Sequence, residues 1–143
     1  MTASLSRYTH LLGRILLSVI FLFSGYSKLT HWSSTAAAMA SARIPAASLS
    51  LSVAILLEIA GGLAILAGYR TRLAGLLLFL YLAVVTLVFH NFWSYHGAAE
   101  QAQAIQFLKN LAILGGLMGI VAEDDAGVPS RDPKRLHPSA DLR

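Results

Sequence analysis

A chain of 143 residues that is 56% hydrophobic and only 13% charged, with a mean hydropathy of +0.63, is suited to a bilayer rather than to water. It has no cysteine, which excludes disulfides, CxxC relays, thiolate nucleophiles and cysteine-held zinc or iron–sulfur clusters. The net charge of +4 comes from Lys and Arg scattered over loops and helix ends, so it reads as a topology signal and not as a nucleic-acid footprint.

A hydrocarbon core of ~30 Å is crossed by ~20 helical residues, and four apolar runs meet that length. The first, residues 11–29, follows Arg7, carries Arg14 near its start and passes small residues at Ser24-Gly25, as a signal peptide would. Three further spans argue that it is retained as a helix. The second run, 49–67, opens after Ile44-Pro45 and closes at Gly68-Tyr69-Arg70-Thr71-Arg72, which predicts a tight helical hairpin with the third. That third run, 73–93, is the most apolar and ends in Phe89, Phe92, Trp93 and Tyr95, side chains suited to a headgroup-level belt. The fourth, 104–122, follows the polar Glu100, Gln101 and Gln103.

From 123 to 143 the chain turns to Asp, Pro, Ser and Arg, which predicts a disordered polar tail after a membrane domain of residues 1–122. Arg7, Arg14, Arg70, Arg72, Arg131, Lys134, Arg135 and Arg143 fall on one side against Lys28, Arg43 and Lys109 on the other. By the positive-inside rule both termini are then cytoplasmic, and the loops 30–48 and 94–103 face outward. The expected fold is an all-α four-helix membrane bundle.

An ionisable group inside a span costs several kcal/mol if it faces lipid, so each one is a packing device or a site. Arg14, Ser18, Phe21, Gly25, Lys28 and Trp32 recur at intervals of three and four, one stripe that should face inward. Glu58 shares a face with Ala54, Gly61 and Gly62, where a neighbouring backbone can approach closely. Gln106, Lys109 and Asn110 lie within one turn, and Ala112, Gly116 and Gly119 continue the face of Lys109 as small residues.

By depth, Lys28, His90 and Lys109 belong to the outer half, Arg14 to the inner end, and Glu58 between them. Glu58 with Lys109 is the preferred ion pair. Buried bases then outnumber the buried carboxylate, and an anionic or carbonyl-bearing ligand would answer the excess. Plainer roles stand beside these: a purely structural ion pair for Glu58 and Lys109, snorkelling for Arg14 and Lys28, and an interfacial hydrogen bond for His90. Trp32 and Trp93 read as interface anchors. The five histidines are split between the two sides with no partner at metal-ligand spacing, so neither haem nor a metal is expected.

The ordered set Arg14, Gly25-Tyr26-Ser27-Lys28, Glu58 with Gly61-Gly62, Gly68-Tyr69-Arg70-Thr71-Arg72, His90-Asn91-Phe92-Trp93 and Gln106-Phe107-Leu108-Lys109-Asn110 before Gly115-Gly116 resembles the DoxX family. The likeness runs over about residues 10–122 and is nearest to the small YphA-type members of the bacterial inner membrane. It implies the family's four-helix fold. It also implies kinship with a small subunit of a thiosulfate:quinone oxidoreductase and with proteins of oxidative or quinone stress.

The resulting expectation is a bundle that binds a quinone or similar small redox molecule in support of electron transfer or stress defence. The donors Lys28, His90, Gln106, Lys109 and Asn110 would hold its carbonyls, Glu58 or His90 would handle protons, and the third run would wall its isoprenoid tail. Whether the chain is itself catalytic or a component of a quinone-linked oxidoreductase is left open. Two other classes stay open: a small-solute transporter or channel lined by Arg14 and Lys28, and an assembly subunit whose Gly115–Gly119 face docks an oxidoreductase partner or a second copy.

Overall fold

The architecture was taken from a computed structural model, which describes residues 2–123. The tail expected over 123–143 lies outside the described residues from 124 onward. Every described element is helical: α1 (Thr2–Thr30), α2 (Trp32–Ser41), α3 (Ala47–Ala67), α4 (Thr71–Phe89), a short 3-10 turn (Phe92–Ser94) and α5 (Ala98–Glu123). Four stretches are long and apolar enough to cross a membrane, at Arg7–Thr30, Ala47–Ala67, Thr71–Ser94 and Ala98–Ala122. In hydrocarbon a backbone must satisfy its own polar groups, and the helix does so within each segment. The chain is therefore an all-α, four-span membrane protein, with the start of α1 and the end of α5 at the same end of the bundle.

The spans pack in the order α1, α3, α4, α5 around the bundle. Phe21, Ile65, Ala74, Leu78, Leu82, Leu114, Leu117 and Ile120 form the shared core. α1 and α5 meet more sparingly, where Leu17 lies over Gly116. α2 was read from sequence only as part of a loop. It is a separate ten-residue helix packed on α3 and α1, with Met39 buried, so Trp32 starts α2 and does not extend the α1 stripe.

The α3–α4 hairpin is set by local chemistry. Gly68 takes a left-handed conformation (φ 73°), its N–H donates to Ile65 O and the Tyr69 N–H donates to Ala64 O, the bond pair of a Schellman cap. Arg14 completes the same helix end from α1: its Nε donates to Ile65 O at 2.8 Å and its Nη2 to Leu66 O at 2.9 Å. Arg14 is thus a clamp between two spans. It is not a free snorkelling charge.

The α1 stripe does face inward, with Ser18, Phe21 and Gly25 buried. α5 departs from expectation. Its buried residues are Leu114, Leu117 and Ile120, whereas Ala112, Gly115 and Gly119 are exposed and Gly116 alone of the small residues meets another span. Large branched side chains gain more dispersion contact in the core than small ones, and that turns the helix.

Candidate functional site

Glu58 is 3% exposed near the middle of α3 and is the centre of a polar network. The Lys28 ammonium donates to its Oε1 at 2.9 Å and Oε2 at 3.1 Å, and to Ser24 Oγ at 2.6 Å. Ser24 passes its own hydroxyl proton toward Glu58 Oε1 at 3.1 Å, and Tyr81 Oη donates to that oxygen at 2.9 Å. Three spans therefore converge on one carboxylate. Backbone approach makes this possible: a Cβ on Gly25 would lie 2.7 Å from Ile59 Cγ1 and 3.4 Å from Glu58 Cβ, so α1 can lie this close to α3 only with glycine there.

The expected Glu58–Lys109 pair is not formed; Lys28 fills that place. A lysine three to four residues along the inward stripe from Ser24 and Gly25 reaches across the closely packed α1–α3 contact, whereas α5 stands off behind the cavity. Tyr81 and Ser24 were not singled out from sequence. The available signal was a lone phenol inside the most apolar run, at a depth comparable with Glu58.

Beside the network lies a cavity of about 370 Å³ between α1 and α5. Lys28 and Glu58 form its polar back; Gln106, Lys109 and Asn110 project from α5; Ile20, Phe21, Phe23 and Ile113 supply much of its apolar wall. The apolar wall thus comes mainly from α1 and α5, with Leu82 from α4, and not from the third run as expected. Asn110 Nδ2 donates to Thr86 Oγ1 at 3.0 Å, and Thr86 in turn donates to Leu82 O at 2.6 Å, fixing one edge. Lys109 and Gln106 form no hydrogen bond or ion pair among the described residues. Two lysines face one carboxylate here, so the cavity carries excess positive charge and free donors.

His90 is not part of it. Its Nδ1 lies 2.8 Å from Gln103 Oε1 at the end of α4, next to the edge-to-face cluster of Phe92, Trp93 and Phe107. The helix ends there, and a residue at its last turn cannot reach a carboxylate two turns deeper. Of the predicted site residues, Lys28, Glu58, Gln106, Lys109 and Asn110 come together and His90 stays apart.

A multi-span bundle of this kind, with a Lys–Glu–Tyr network around a buried carboxylate beside an amphipathic cavity, defines a small polytopic membrane protein. The DoxX family pattern matches residues 9–91, and the chain belongs to the DoxX family. It is 35% identical to inner membrane protein YqjF of Escherichia coli over 76% of this chain and 78% of that one. To inner membrane protein YphA of the same organism it is 29% identical over 76% and 77% of the two chains. A yeast protein, the ER-derived vesicles protein ERV29 of Saccharomyces cerevisiae, is 32% identical over 57% of this chain but only 26% of its own length. No solved structure matches the chain. Together with the four spans, the inner-membrane relatives make this a multi-pass inner-membrane protein.

Proposed function

We propose that the α1–α5 cavity binds a quinone or a similar carbonyl-bearing redox molecule in support of electron transfer or defence against quinone stress. The observation that carries this reading is the pair of unsatisfied donors, Lys109 and Gln106, beside the Lys28–Tyr81 network around the buried Glu58. A ring carbonyl accepts from Lys109 or Gln106 while the ring lies against Phe21, Phe23 and Ile113. Quinone reduction takes up electrons and protons together. The proposal assigns the protons to a path through Glu58 and the electrons to an oxidoreductase partner.

Conduction is supported less well. The cavity is bounded toward the Arg14 end by Phe21, Leu114 and Leu117, all buried, and by Leu17 against Gly116.

Quinone titration of purified protein in lipid nanodiscs tests the reading. Loss of a charged donor costs ~1.5–3 kcal/mol, so Lys109→Met should weaken binding about ten-fold or more. His90→Ala should leave it unchanged, because His90 lies off the cavity. Binding that ignores Lys109→Met, or no binding at all by the wild type, would refute the proposal.

A further inference from the structure

We infer that the cavity is loaded sideways from the bilayer, through the seam between α1 and α5, by a membrane-dissolved amphiphile with an acceptor-bearing or anionic head and an apolar chain. This rests on the cavity being a ligand site, as proposed above, but not on the ligand being a quinone.

Toward the Arg14 end the seam is closed by Leu17 over Gly116 and by Phe21 in the core with Leu114 and Leu117. Further along α1, Ile20 is 43% and Phe23 68% exposed while both line the cavity, and on α5 Gln106 and Lys109 do the same. These residues lie inside the membrane-spanning stretches, so what their exposed sides meet is lipid. Depth agrees. His90 holds Gln103 beside the end of α4, and at 1.5 Å per residue Lys109 is ~9 Å and Ile113 ~15 Å deeper than Gln103, among acyl chains. At the loop end the cavity is walled instead: α2 packs on α3 and α1 and contributes Thr35 to the lining.

The opening also has the polarity of an amphiphile. Lys28, Gln106 and Lys109 occupy the part nearer the loops, and Ile20, Phe21, Phe23 and Ile113 the part nearer the bilayer centre. A lysine left unpaired at membrane depth is costly, and a head that accepts its hydrogen bonds removes that cost. The chain of such a ligand would leave past Ile20 and Phe23 into lipid.

A photoreactive diazirine analogue of leucine, placed singly at position 113, 117 or 108 of the full chain in vesicles of phosphatidylethanolamine and phosphatidylglycerol without quinone, reads the access route by mass spectrometry. Leu117 is 0% exposed and serves as the sealed control; Leu108 is 61% exposed and serves as the lipid-facing one. The expected result is acyl-chain adducts at 113 several-fold above those at 117 and comparable with those at 108. Water adducts only at 113, or adducts no higher than at 117, would overturn the inference. Adding ubiquinone separates the two proposals. Acyl adducts at 113 that ubiquinone does not displace support loading from the bilayer and count against a quinone ligand, whereas quinone binding without acyl adducts does the reverse.

Discussion

Glu58 holds its place at the centre of a membrane bundle because Lys28, Ser24 and Tyr81 all point donors at it. Removing one partner of a buried pair leaves the other charge without compensation, which costs far more than the pair itself contributes. Lys28→Met should therefore destabilise the protein by about 3 kcal/mol, the low end of the range for breaking a buried pair, since the lysine is itself 24% exposed. The double change Lys28→Met with Glu58→Gln should recover most of that loss. Unfolding of purified protein in mild detergent under denaturant titration checks both, and a double variant no better than the single would refute the pairing argument. That Glu58 would be buried was legible from Ala54, Gly61 and Gly62 on its face. Its partner was not. Spacing places a side chain on a face, but which of two lysines reaches the carboxylate depends on how closely each helix approaches.

Helix ends and close contacts govern the elements. The carbonyls left over at the end of α3 are met by its own Schellman turn and by Arg14 from another span. Arg14→Met should cost about 2 kcal/mol, a usual value for hydrogen bonds from a charged donor, and speed amide exchange over the last turn of α3. Hydrogen exchange with mass spectrometry would show it; unchanged protection there would refute the clamp. Glycine roles separate in the same way. At Gly25 a Cβ meets Ile59 at 2.7 Å, while nothing lies within 4 Å of one at Gly119. Gly25→Val should cost about 1–3 kcal/mol by overpacking and part α1 from α3, whereas Gly119→Val should be near neutral for the isolated chain. Equal melting temperatures for the two variants would contradict this packing. In the sequence both glycines lie on faces expected to point inward, Gly25 on the Arg14–Lys28 stripe and Gly119 on the small-residue face of Lys109, since composition carries no information on what stands opposite.

For the whole molecule, the start of α1, the α3–α4 turn and the end of α5 share one end of the bundle, and the clustering of Arg7, Arg14, Arg70 and Arg72 there predicts that this end faces the cytoplasm. With no native cysteine, single substitutions Ser94→Cys and Thr71→Cys offer a clean check in intact spheroplasts. A membrane-impermeant maleimide should label the first and spare the second; the reverse would invert the topology. The bundle is also asymmetric in its seams. Three neighbouring pairs pack along their length, while α1 and α5 part on the side that carries Lys109, and that gap is the cavity.

Membrane class, span number and the inward stripe of α1 follow from the amino acids alone, because hydrocarbon demands helices of a set length and penalises each exposed charge in a way that hydropathy and periodicity record directly. The joining of Lys28 to Glu58, the recruitment of Tyr81, the separation of His90 and the outward turn of Gly115 and Gly119 needed the packed bundle. Those outcomes depend on distances between helices of a few ångströms, and no count of residues along one helix contains the distance to the next.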